Sequence, residues 1–237
     1  MTPRTRRSRP LGRGDLATSF AFIFPLFVGY ELGVVFTPAL NGVDFVTGWI
    51  LHAVDGDRGR YVVVNLSLAV VYVAALWWLR RRRAVDLRAF MPMLLLSAIY
   101  ALTLGSFIVF VMTRLLGFDG LLATGDLGLG SRLIVAMGAG VHEELVFRLG
   151  LLAGGAYLLR AMGVRHRVAA AIAFVASSLL FSAAHHVGPL GDPFTLPVFV
   201  YRALAGAAFG AIFYFHSLSH AVYTHFLYDV YVLLFRG

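Results

Sequence analysis

Long apolar runs separated by short polar stretches recur along the whole chain. Seven can be drawn: Leu16 to Phe36, Tyr61 to Leu79, Ala89 to Met112, Leu133 to Leu159, Val168 to Ala184, Leu196 to Tyr214 and Ser217 to Phe235. Most have the roughly 17 to 25 residues that a helix needs to cross a hydrocarbon core of about 30 Å. The run Phe45 to Val54 is too short to cross and predicts an interfacial or re-entrant segment. The pattern predicts an all-α, polytopic transmembrane helix bundle of about seven spans. It divides into an N-terminal scaffold of three spans over residues 1–130 and a four-helix domain over 131–237, where the polar groups gather.

Composition sharpens this. Of the 237 residues 59% are hydrophobic, against about 45 to 50% in soluble domains. There is no cysteine, which excludes disulfides, thiolate metal sites and a cysteine nucleophile, so a metal would have to be held by His and carboxylate. The net charge of +8 comes from arginine alone, in blocks between the apolar runs. These blocks report topology and leave no room for a nucleic-acid module. Arg4, Arg6, Arg7, Arg9 and Arg13 precede the first run, which is longer than a signal-peptide core and is expected to remain as a helix. Arg80, Arg81, Arg82, Arg83 and Arg88 lie between the second and third runs, and Arg160, Arg165 and Arg167 between the fourth and fifth. The alternate loops carry Arg58 and Arg60, then Arg114 and Arg132, then none. The positive-inside rule puts the amino terminus in the cytoplasm and, with seven spans, the carboxyl terminus outside, in a cell membrane.

Against this apolar background a few polar residues stand out. Val141 to Leu149 reads V-H-E-E-L-V-F-R-L and places Glu143, Glu144 and Arg148 within one run. A charge at the centre of an inserted helix costs on the order of 2.5 to 3.5 kcal/mol even on lenient scales, so a functional role is the default expectation. Glu144 and Arg148 fall one helical turn apart and can form an ion pair, while Glu143 points about 100° away, available for chemistry. His185 and His186 end the fifth run, and His225 and Asp229 lie four apart in the seventh. His-His-Glu from three helices makes either a zinc site on Glu143, His185 and His225 with an open position, or a metal-free pair that polarises water. Asp229 and the His225 ring can face a developing oxyanion. The spacing leaves both mechanisms open.

Other polar positions are read more plainly. His142, Glu143 and Glu144 begin like H-E-x-x-H, but Val146 stands where the second histidine belongs, so the zinc-protease motif fails. His142 is then a packing or supporting residue. Glu31, Asn65 and Arg202 can line a cavity or pair structurally, and His216 and His220 are expected at the membrane interface.

The three motifs together resemble the CPBP family, also called the Abi or type II CAAX endopeptidase family of intramembrane proteases. E-E-x-x-x-R matches Glu143, Glu144 and Arg148; F-x-x-x-H matches Phe181 and His185; H-x-x-x-D matches His225 and Asp229. The stretch Arg202 to Ala211 resembles the family's small-residue helix. The resemblance spans Leu133 to Phe235 and implies peptide-bond hydrolysis of a membrane-associated protein or peptide within the bilayer. It implies Glu143 and His185 as the water-activating pair, and His225 and Asp229 as further ligands or oxyanion stabilisers, with or without zinc. Two departures are Leu149 after the arginine, where glycine is common, and aspartate at 229, where asparagine is common. An ionised Asp229 is a poor oxyanion donor, which favours an orienting or metal-binding role. The depths of His185 and Glu143 place the site at or outside the midplane, reached from the external half. Competing readings are a non-catalytic immunity or scaffold protein, a bis-histidine haem protein, which leaves the Glu-Glu-Arg triplet unexplained, and a transporter.

Overall fold

The computed structural model describes residues 16–37, 45–81, 85–117, 128–188 and 191–235. Among them there are only helices and turns. The arginines at 4, 6, 7, 9, 13, 82 and 83 lie outside the described residues. Helix α1 is Leu16–Phe36, α2 Phe45–Ala53 and α3 Arg58–Arg80. Helix α4, Phe90–Phe110, is entered through the 3-10 turn Leu87–Ala89 and ends in the π turn Val111–Leu115. Helix α5 runs without a break over 129–161; α6 is His166–Ala184, α7 Leu196–Phe215 and α8 Leu218–Phe235.

Each of the seven apolar runs coincides with one of these helices, α1 to the residue. The short helix α2, nine residues long, is the segment judged too short to cross. Five helices are long and apolar enough to span a membrane: Leu16–Phe36, Arg58–Arg80, Leu87–Leu115, His166–Ala184 and Leu196–Phe215. The other two of the seven apolar runs, in α5 and α8, are helical as well but less apolar. Helices α5 and α8 fall outside the five because they carry the ionisable groups, and the same side chains that dilute their hydropathy are turned into the bundle. The protein is therefore an all-α, multi-pass membrane protein whose polar helices are its inner ones.

Helix α8 is the centre of the bundle. It packs on α4, α5, α7 and α1, and Ala221, Val222 and Thr224 are fully enclosed. Helix α3 lies at the periphery, with Tyr61 its buried residue and Val70, Val71, Trp77 and Trp78 exposed. An outer surface of this kind suits lipid, which solvates apolar side chains, and would be a liability in water.

Small residues set the closest approaches. A Cβ on Gly29 or Gly33 of α1 would meet Met137 or Ile134 of α5 at 2.9 and 2.6 Å, and one on Gly138 would meet the Tyr30 ring at 2.3 Å. Gly29-x-x-x-Gly33 is thus a small-residue face seated on α5. A Cβ on Gly140 would meet Phe226 Cβ at 2.9 Å and the Val222 carbonyl oxygen at 3.0 Å, so α5 and α8 nearly touch backbone to backbone. Gly206 and Gly210 of α7 stand against Phe181 and Phe174 of α6 in the same way, as the small-residue stretch predicted.

Candidate active site

Helix α5 departs from regular winding where the site lies. Ala139–Glu143 and Leu145–Gly154 are π-wound, with i→i+5 hydrogen bonds, so Glu143 and Glu144 sit inside an almost continuous irregularity. Such winding is uncommon and concentrates at functional sites. It is braced from α6 by Ser177, whose hydroxyl donates to the Phe147 carbonyl at 2.6 Å.

The structure brings Glu143, Glu144, Arg148, His185, His225 and Asp229 into one cluster drawn from α5, the end of α6 and α8. Glu144 and Arg148 are 0% exposed, Glu143 2% and His225 4%. Arg148 is the organising cation. Its Nε lies 3.1 Å from Glu144 Oε2, and its Nη2 donates to the Gly206 carbonyl at 3.0 Å. Its guanidinium carbon stands 4.4 Å from the centre of the Phe181 ring, so the Phe of F-x-x-x-H is a cation–π partner as well as a spacer. Glu144 is thereby paired in the dry interior rather than left as an isolated carboxylate.

The other oxygen of Glu144 receives a hydrogen bond from His225 Nδ1 at 2.8 Å. The His225 ring is held face-on by Phe209, 4.3 Å away at 20°. His185 is fixed in a similar way, with Nδ1 donating to the Phe181 carbonyl at 2.7 Å. A carbonyl can only accept, which assigns the proton to Nδ1 and turns Nε2 inward. The Nε2 atoms of both rings face the same oxygen, Glu143 Oε2, from 3.5 Å for His185 and 3.9 Å for His225. Asp229 Oδ2 is 3.6 Å from His225 Nε2, and its side chain is 23% exposed, so it forms the open edge of the cluster.

An unprotonated Nε2 on each ring and a carboxylate oxygen would all be acceptors, so a proton or a cation shared among them makes the arrangement favourable. This donor set suits zinc by its chemistry. Among the described residues no group of three His, Asp or Glu side chains is placed to hold a metal ion.

The remaining polar residues find structural partners. His186 Nδ1 donates to the Asp192 carbonyl at 3.0 Å and its ring packs on Phe194, away from the cluster. His216 pairs with Tyr100 Oη at 2.8 Å, and His220 Nδ1 with Ser217 Oγ at 2.7 Å, both at the α7–α8 turn. Asn65 donates to the Tyr61 carbonyl at 3.1 Å.

A second buried polar group was missed as a group. Glu31 of α1 accepts a hydrogen bond from Tyr61 Oη of α3 at 2.6 Å and lies 3.5 Å from His142 Nε2. It ties the N-terminal helices to the residue beside Glu143. The spacing carries no signal for this pairing: Glu31 stands two residues from Gly29 and from Gly33, roughly 160° round the helix from that small-residue face.

This is a multi-pass helical membrane protein whose inner helices bring a buried Glu and His cluster together, with Asp229 at its edge. Residues 127–231, the segment that carries all three motifs, match the family described as Type II CAAX prenyl endopeptidase Rce1-like. No curated protein and no solved structure matches the chain.

Proposed function

We infer that the chain is an intramembrane endopeptidase that hydrolyses a peptide bond of a membrane-associated protein or peptide, with residues 131–237 as its catalytic unit and 1–130 as scaffold. The observation that carries this reading is the convergence of His185 Nε2 and His225 Nε2 on Glu143 Oε2. In this reading Glu143 takes the proton of a water held between it and His185, and delivers it to the leaving amine. His225, its Nδ1 committed to Glu144, presents Nε2 to the same space and carries positive charge when protonated, where an oxyanion would develop. Arg148 holds Glu144 in place by their ion pair, and Asp229 orients the His225 ring. Zinc would be held by Glu143, His185 and His225 and would supply Lewis-acid activation of the water.

The test is mass spectrometry of membrane and secreted polypeptides from cells carrying the wild-type chain or Glu143→Gln at matched abundance. Specific fragments are expected to vanish with the carboxylate. If the fragment pattern is unchanged while the variant behaves as wild type, the cluster is scaffold and the endopeptidase reading fails.

A further inference from the structure

Outside the cluster, one cation stands at its edge with its hydrogen-bonding edge half used. Arg202 of α7 pairs through Nη2 with Oδ2 of Asp192. Its Nε is buried and has no hydrogen-bond partner among the described residues. Nε–H and Nη2–H point the same way and together form the fork that grips both oxygens of a carboxylate. Asp192 fills one prong only. A buried donor left without an acceptor is unfavourable, so the position favours a carboxylate that can use both prongs.

The place is informative too. Asp192 donates its backbone N–H to the His185 carbonyl at 2.8 Å, which sets the Arg202–Asp192 pair directly beside the turn that carries His185. The Arg202 side chain is 25% exposed and that of Asp192 47%, so the pair is reachable from outside the bundle.

We propose that the Nε–Nη2 edge of Arg202 is a subsite for a carboxylate of the substrate peptide, and that Asp192 is the intramolecular carboxylate it displaces. The proposal deepens the endopeptidase reading and rests on it for the word substrate. A monodentate contact to an exposed loop residue gives way to a bidentate one, and Asp192 returns to solvent. The carboxylate can come from the peptide's terminus or from an acidic side chain near it, and the two are separable by experiment.

The test follows the modification of Arg202 by phenylglyoxal, read by peptide mass spectrometry on the full chain in detergent micelles. Three probes are compared at millimolar concentration: acetyl-Leu-Val-Ile with a free carboxylate, the same peptide as its C-terminal amide, and acetyl-Leu-Val-Glu amide. The free acid is expected to slow modification of Arg202 at least fivefold while the Ile amide does not. In Asp192→Asn, protection should appear at about tenfold lower acid concentration. Protection by the Glu amide as well assigns the site to either carboxylate; protection by the free acid alone assigns it to the terminus. Equal rates with acid and Ile amide overturn the proposal. The readout needs no turnover, so it is unaffected if Glu143→Gln leaves the cellular fragments unchanged.

Discussion

Glu143 and Glu144 are adjacent in sequence and differ in everything that decides what a carboxylate can do. Glu144 has Arg148 on one oxygen and His225 on the other, at 3.1 and 2.8 Å. Glu143 faces two imidazoles at 3.5 and 3.9 Å. Removing one member of a buried pair leaves an uncompensated charge, at about 3 to 5 kcal/mol, whereas replacing both members with apolar groups is far milder. Arg148→Met should therefore destabilise the protein more than the double variant Glu144→Gln/Arg148→Met, measured as denaturant midpoints in mixed micelles. A double variant as unstable as the single would show that Arg148 acts through Gly206 and Phe181 rather than through Glu144. Glu143→Gln, which keeps the shape of the side chain and leaves the Glu144–Arg148 pair intact, should lower that midpoint by less than Arg148→Met does.

At the scale of elements, hydropathy was sufficient to place the helices, because a bilayer leaves a chain few choices: each span must satisfy its own backbone. What was not legible is how α5 is wound. Nothing in A-G-V-H-E-E-L-V-F-R-L announces i→i+5 bonding, since the winding depends on neighbours such as Ser177 and on the close seat of α8. The triplet and the two histidines were legible because charge is conspicuous in an apolar run. The pairing of Glu31 with His142 was not, since the choice of partner among several helices is made in three dimensions. Close helix approach yields its own prediction. A methyl group on Gly140 meets backbone of α8 at Val222 and Phe226, which cannot yield as a flexible side chain can. Gly140→Ala should push α8 from α5 and shift His225 from Glu143 by a fraction of an ångström. Overpacking costs about 1 to 3 kcal/mol, and a misplacement near 1 Å can cost about 100-fold in rate. Peptide turnover should fall at least tenfold with the protein still accumulating. The control is Gly130→Ala in the same helix, where the added methyl meets nothing within 4 Å and turnover should be unchanged.

For the whole molecule the open matter is which side of the membrane the site serves, and the order of helices bears on it. Helix α5 runs from Arg132 towards Arg160, and α6 returns from Arg167, so His185 at the end of α6 lies on the face opposite Arg160, Arg165 and Arg167. Arg132 Nη1 donates to the Leu233 carbonyl, which puts the start of α5 and the end of α8 together on that same His185 face. The arginine-rich turn is the one the positive-inside rule assigns to the cytoplasm. The site should then open outward, towards substrates reached during or after export. Because the chain has no cysteine, single-cysteine variants report without background. Val187→Cys, at a residue 58% exposed beside the site, should react with an impermeant maleimide added to intact cells. Met162→Cys, at a residue 71% exposed in the α5–α6 turn, should react only after the membrane is opened. The reverse pattern would put the cluster on the cytoplasmic side, and its substrates would then have to be proteins anchored from within the cell.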